Sequence, residues 1–309
     1  MAARRRADPA HDRHADLPEM GDVMTGQEAH GRTRVRRLPA PPRQFDPFAA
    51  AQSELNRYGL PPRPDPKTRP GEAELWDRQA RRYQDFDHLD PEFDRTTADR
   101  PAVGNRALGP DPIESCGYQL TTTTSAPFTI LFVTWTVPSL RFAASPFGVN
   151  HFRTFAGLGF LDVHVEMSVD SAQQVTSQLW AQGVGNVNLP VRPGDVLSAS
   201  LCLNTNAAGT ASYFFTNETS RQTMNFSIDT GFPPAVTVNA GVSRGDLNLP
   251  VHPLAQFGAV YFDEISAYTT AGSRSLTSGQ AITMVESNGA TLATPVRLTD
   301  FTFKAVYGT

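Results

Sequence analysis

LAQFGAVYFDEISA, Leu254–Ala267, decides the fold class of this chain. Its middle, Gln256–Ile265, is rich in aromatic and β-branched residues and reads as a strand. Outward from it the same texture returns at Phe128–Val137, Leu161–Val169, Val196–Leu203, Ala211–Thr216, Gln222–Ile228, Ala281–Ser287 and Phe301–Tyr307. Turn signals recur about every 8–12 residues, the spacing of an all-β sandwich or barrel. Asn288-Gly289 between two such runs predicts a type I′ hairpin. No helix-period segment of useful length interrupts the series from about Ile113 to Thr309. A domain of this size buries roughly three-quarters of its unfolded surface and needs no covalent staples.

The chain before that point has a different character. Runs such as RRLPAPPR (Arg36–Arg43) and LPPRPDPKTRP (Leu60–Pro70) are short of apolar residues. Such composition does not offset its conformational entropy by burial, so residues 1–112 read as a mostly disordered Pro/Arg-rich segment. Two short helices are predicted within it. Asp46 as N-cap, Pro47 in the first turn and Gly59 as stop bound one near 47–58. The other, near 72–83, carries Leu75, Trp76 and Tyr83 as an apolar stripe fit to dock on a partner or on the β domain. Residues 113–309 form the second unit, the β-sandwich domain.

Net charge is −4 and hydrophobic content 39%, which gives no field that would favour nucleic acid. No apolar run reaches the ~20 residues of a membrane span. The basic N-terminus has no apolar segment behind it, so no signal peptide is read and the default compartment is cytoplasmic. Cys116 and Cys202 read as buried free thiols, with a single bridge between them left as the alternative. No cofactor is implied, and no oligomeric state.

Several segments resemble, in order, those of the glutamic peptidase (eqolisin) family. Ser115-Cys116-Gly117-Tyr118 is similar to the family's N-W-x-G-x, without the Trp. Phe128–Pro138 resembles the strand that ends in T-V-P. Phe155-Ala156-Gly157-Leu158-Gly159 stands where the family has W-x-G-I-D-G. Pro190–Asp195 (PVRPGD) matches fully, Asn217-Glu218-Thr219 resembles an N-x-T turn, and Leu254–Ala267 is similar to L-A-D-F-G-x-V-x-F. The resemblance implies a two-sheet antiparallel jelly-roll sandwich of the concanavalin A-like kind, whose concave sheet holds an extended peptide. It also implies acid endopeptidase chemistry by a Gln and a Glu. The Glu serves as general base and then acid, and the Gln amide stabilises the oxyanion.

That pair is not preserved. Glu166 falls at the place of the family's Gln, and an ionised carboxylate only accepts hydrogen bonds, so it repels an oxyanion. The segment that should supply the Glu, Ala235–Ser243, contains no carboxylate. Leu179-Trp180-Ala181-Gln182 keeps the Trp of a cleft-lining W-Y-E segment and replaces its Glu with Gln182. Period-2 alternation places Asp162, His164, Glu166 and Ser168 on one face of their strand and Leu161, Val163, Val165 and Met167 on the other. The ionisable row faces the cleft or solvent. His164 and Glu166 could be half of a metal site or an acid–base pair, but no H-x-x-x-H or H-E-x-x-H spacing supports a metal, and none is assigned. A hydrogen-bonded strand pair is the simpler reading. No G-x-S-x-G elbow exists. Two sequons, at Asn217 and Asn225, mean little without a secretory signal.

The sequence therefore supports a catalytically inactive or diverged glutamic-peptidase-like protein that binds extended peptide or protein, with Asp162, His164, Trp180 and Gln182 lining the site. The alternatives are an acid hydrolase using Glu166 with Asp162 or His164, and a carbohydrate-binding jelly roll. The last calls for a row of exposed aromatics, which the polar side of Leu161–Ser168 lacks.

Overall fold

A computed structural model describes residues 34–94, 114–205, 208–244, 253–286 and 288–308. Two sheets face each other across one apolar core. The first sheet contains β1 (Val35–Arg37), β2 (Asp87–His88), β5 (Phe128–Thr136), β10 (Val196–Leu203), β11 (Thr210–Asn217), β12 (Gln222–Asp229), β14 (Ala259–Thr269), β15 (Gly272–Arg274), β17 (Met284–Val285), β18 (Thr291–Arg297) and β19 (Phe303–Tyr307). The second contains, from edge to edge, β16 (Gln280–Ile282), β4 (Ser115–Thr121), β13 (Thr237–Ser243), β6 (Val149–Leu158), β7 (Leu161–Asp170), β8 (Val175–Ala181), β9 (Gly185–Val187) and β3 (Phe93–Asp94). Among the described strands every pairing is antiparallel except β2 against β12.

Alternation explains the core. Leu131, Val133 and Trp135 of β5 and Leu197, Ala199 and Leu201 of β10 point inward, against Leu161, Val163, Val165 and Met167 of β7. In β14 a bulge between Phe262 and Glu264 shifts the alternation by one, so Phe262 and Ile265 both enter the core. Between β4 and β13 the backbones approach closely at the paired Gly117 and Gly241, where an added Cβ on Gly241 would lie 2.1 Å from the Cys116 carbonyl oxygen.

Residues 34–94 depart from the expectation of disorder. β1 adds to the edge of the first sheet at β12. Helix α1 (Gln52–Arg57) and helix α2 (Pro70–Asp85) cover that sheet's outer face. Leu55, Tyr58, Leu60, Leu75, Trp76 and Tyr83 bury against Ile130, Phe132, Cys202, Phe214 and Tyr268. The Leu75–Trp76–Tyr83 stripe thus docks within the chain. Composition misled because the Pro-rich runs do not need a core of their own; they cross a ready-made apolar sheet. The Trp76 indole N–H donates to the Pro61 carbonyl at 2.8 Å, and Asn225 Nδ2 donates to the Tyr58 carbonyl at 2.5 Å. Asp46 does cap a turn, accepting from Phe48 N–H at 3.0 Å, but the helix starts only at Gln52. Gly59 ends it with φ +85°. Residues 1–33 and 95–112, also expected to be disordered, lie outside the described residues.

Two carboxylates of the sheet clamp α2. Arg78 donates from Nη1 and Nη2 to Glu264 at 2.6 and 2.7 Å, and Arg82 pairs with Glu218. Arg78 also lies over the Phe132 ring, 4.9 Å from its centroid. Burial by itself would raise the Glu264 carboxyl, but the bonds and charge of Arg78, with Ser266 and Arg82, outweigh it and hold the group below 4.5. A depressed carboxyl stabilises above its unfolded value and ceases to do so as pH falls through its folded value. The layer is therefore expected to loosen as pH drops below about 4.5. Trypsin-independent proteolysis of α2 with pepsin, or hydrogen exchange across Pro70–Asp85, should rise over that window. Glu264→Gln should flatten the rise; an unchanged profile in the variant would remove Glu264 as its source.

One further detail corrects the sequence reading. The Asn288-Gly289 hairpin is not type I′. Gly289 N–H donates to the Glu286 carbonyl and Glu286 N–H to the Ala290 carbonyl. The turn thus closes one residue earlier, with Gly289 left-handed at φ +83°, as in three-residue hairpins with a glycine bulge. Cys116 faces the core and Cys202 the helical layer, both as free thiols. Burial pushes them up to about 12 and about 11. Among the described residues no helix is long and apolar enough to cross a membrane.

Candidate active-site face

The outer face of the second sheet carries Asp162, His164, Glu166 and Trp180 of the residues read from the sequence. Register arranges them in rows across the strands. One row runs Gln178, Glu166, Arg153, Ser243 and Ser115, from β8 to β4. The next holds Trp180, His164, Phe155, Gly241 and Gly117. A third holds Asp162, Gly157, Asn239 and Gln119. Burial is graded along this face. Asp162, His164, Trp180, Arg153 and Ser243 are at most 2% exposed, whereas Ser168 is half-buried and Thr176 and Gln178 are open. The row expected to face cleft or solvent is therefore sunk at one end and open at the other.

Asp162 and His164, two residues apart on β7, point the same way and meet. The His164 Nδ1–H donates to Asp162 Oδ2 at 2.9 Å. The imidazole stacks on Trp180, ring centroids 4.5 Å apart and planes 20° from parallel. Burial lowers His164 below 6.5, more than the contact with Asp162 raises it, so the ring is neutral near pH 7. With Nδ1 protonated, Nε2 is the bare acceptor, and it has no hydrogen-bond partner.

Arg153 and Glu166 form the second pair, across β6 and β7, with Nη2 3.6 Å from Oε1. That separation is an ion pair beyond hydrogen-bond reach. Gln182 is buried at the end of β8, where its backbone N–H donates to the Asp162 carbonyl at 2.9 Å. On β13 the face presents Asn239, Gly241 and Ser243, an amide, a hydrogen and a hydroxyl. Asn239 leans over Gly157: a Cβ there would sit 2.4 Å from the Asn239 Oδ1. Among the described residues no group of three or more His, Cys, Asp or Glu is placed to hold a metal ion.

Arg153, Ser243 and Asn239 were missed as site residues. The signal for Arg153 was its alternation with Phe152 and Thr154, which goes unread unless Val149–Leu158 is taken as a strand. The face also carries aromatics that alternation along β7 alone could not reveal, since Phe155 and Trp180 flank His164 from the neighbouring strands. Both are buried, not an exposed platform.

The family model of the Peptidase A4 family matches residues 114–305. The chain belongs to the Peptidase A4 family, the eqolisins. No curated protein matches it in sequence. Among solved structures it is similar to scytalido-glutamic peptidase with a transition-state analogue inhibitor. There the TM-score is 0.51 at 15% identity, over 63% of this chain and 98% of that one. It is also similar to SCP-B, an eqolisin in complex with the tripeptide Ala-Ile-His, with TM-score 0.51 and 16% identity over the same shares. At that identity the likeness shows the fold alone.

Within this Peptidase A4 chain the best-kept motifs are structural. In the PVRPGD turn, Asp195 Oδ2 accepts from Arg192 N–H and from Asn217 Nδ2, both at 2.8 Å. Glu218 of the N-x-T turn holds Arg82. Asn217 and Asn225, the two sequon asparagines, are buried and hydrogen-bonded, which leaves neither amide free to carry a glycan.

Proposed function

We propose that this protein is a Peptidase A4 member that binds extended polypeptide on the outer face of its second sheet and does not hydrolyse it by the family's Gln/Glu pair. The observation that carries this reading is the make-up of β13. Where the family resemblance implies a catalytic carboxylate, the strand turns Asn239, Gly241 and Ser243 toward the face, and none of these abstracts a proton from water near neutral or acidic pH. The carboxylates on β7 are engaged, Asp162 with His164, Glu166 with Arg153 and Asp170 with the backbone N–H groups of Ala172 and Gln174.

Binding is tested with the full chain and a fluorescent, reduced and alkylated polypeptide, read by anisotropy. Thr176 is exposed on β8 and its hydroxyl meets that of Ser168 at 2.7 Å at the open end of the face. Thr176→Trp fills that end without touching the core, and is expected to weaken binding at least about tenfold, 1.4 kcal/mol. Undiminished affinity would move the binding surface elsewhere.

One observation favours a second reading, hydrolysis by a non-family pair. The Asp162–His164 geometry, with Nδ1 held by a carboxylate and Nε2 bare, is that of a general base. Its complete burial under Trp180 weighs against access to water.

A further inference from the structure

The buried cation on this face has spare donors. Arg153 is 1% exposed; its Nε and Nη2 have no hydrogen-bond partner, and neither does the Oγ of Ser243, its fully buried cross-strand neighbour. Burying a guanidinium is costly unless its N–H groups are satisfied. Glu166, its counter-charge among the described residues, stays 3.6 Å away with its side chain 21% exposed. The floor thus holds a fixed fork of donors, a hydroxyl beside it, and a carboxylate that approaches from the open end without closing the bonds.

We infer that Arg153 and Ser243 form a carboxylate-binding subsite, which selects polypeptides bearing a free C-terminus or an acidic side chain and for which Glu166 is the built-in competitor. The inference rests on the polypeptide-binding reading above and names its ligand class. Guanidinium matches a carboxylate by two parallel N–H donations, and Ser243 Oγ–H supplies a third donor next to it. A monoanion fits better than a phosphate dianion, because Asp162 and Glu166 already place negative charge on the same face. The ligand carboxylate displaces that of Glu166, which swings to the solvent it already touches.

The test uses the full chain and four labelled peptides of one sequence, with a C-terminal acid or amide combined with Glu or Gln at one internal position. At least one acid-bearing peptide is expected to bind about tenfold to a hundredfold tighter than the amide/Gln peptide, the range for hydrogen bonds to an ionised partner. Which acid supplies the preference identifies the source, C-terminus or side chain. Ser243→Ala, a small change in a strand, should reduce the preference. Glu166→Gln, which keeps shape and removes the competitor, should tighten the acid-bearing peptides relative to the amide/Gln peptide. Arg153→Lys, accepted only if its thermal unfolding stays cooperative, should lose most of the preference while keeping the charge. Equal binding of all four peptides overturns the subsite and leaves the polypeptide-binding reading standing. Binding of none overturns both. A preference that survives Ser243→Ala and ignores Glu166→Gln places the carboxylate elsewhere and overturns the subsite too.

Discussion

A chain cut back to residues 113–309 is expected to aggregate, or to melt far below the 309-residue chain, although it keeps all of the sandwich but the short strands β1, β2 and β3. The reason is the apolar outer face of the first sheet. Ile130, Phe132, Phe214 and Tyr268 are at most 9% exposed beneath α1 and α2. Burial of a large apolar side chain stabilises by about 1.5–3 kcal/mol, so uncovering four removes on the order of 6–12 kcal/mol, comparable to the whole stability of a domain. Ordering the helical layer opposes part of that sum, and the net loss in melting temperature is smaller than the sum implies. Exposure of the patch is not offset in the same way. Three aromatics on one sheet face, beside Cys202 and small serines, make a surface that associates with itself. Size-exclusion chromatography and thermal unfolding of the fragment beside the full chain decide the matter. A monomeric fragment that melts within a few degrees of the parent would show that the layer is an ornament to the fold.

That layer also marks where sequence reading fails. Burial there is conferred by the sheet, so a segment with little apolar content of its own acquires a core through a few residues, Leu55, Leu60, Leu75, Trp76 and Tyr83. The stripe in α2 was legible; the surface it covers was not, because the outward residues of β5 and β11 look like ordinary strand residues until the sheet is assembled. The strands with clean alternation, such as Val196–Leu203 and Leu161–Asp170, could be read almost to the residue. β13 and β6 could not. Thr237–Ser243 is built of small residues that pack between close backbones, and Val149–Leu158 mixes His, Arg and Gly into a strand buried on both faces. The site follows the same division. Asp162, His164 and Glu166 belong to a strand whose period is visible, and the structure brings Asp162 to His164. Arg153 meets Glu166 only through the register of the β6–β7 hairpin, and Ser243 joins Arg153 from β13, a strand distant in sequence.

The 309-residue chain is expected to leave unfolded protein substrate uncleaved from about pH 2 to 7. Hydrolysis by the pair the family resemblance implies needs a carboxyl that takes a proton from water and returns it to the leaving amine. β13 offers no such group, and the loss of a general acid–base alone is worth about 10²–10⁴-fold. The resemblance puts Glu166 in the place of the amide donor, which takes away a further 10² or so, since a carboxylate repels the charge that an oxyanion donor should stabilise. The product, roughly 10⁴-fold or more, puts turnover near background. The Asp162–His164 pair is the remaining candidate for proton transfer, and its chemistry predicts a different profile. His164 lies below 6.5 because of burial, and a base must be unprotonated to act. Any activity it carried would rise with pH through the folded value and level off toward neutrality, the reverse of an acid peptidase. Three proteins separate these cases: the parent, Glu166→Ala and His164→Gln, each checked for a cooperative melt. No cleavage by any of them supports the binding role. Cleavage at acidic pH that vanishes in Glu166→Ala would restore an acid hydrolase, and cleavage growing toward pH 7 that vanishes only in His164→Gln would assign the reaction to the buried Asp–His pair.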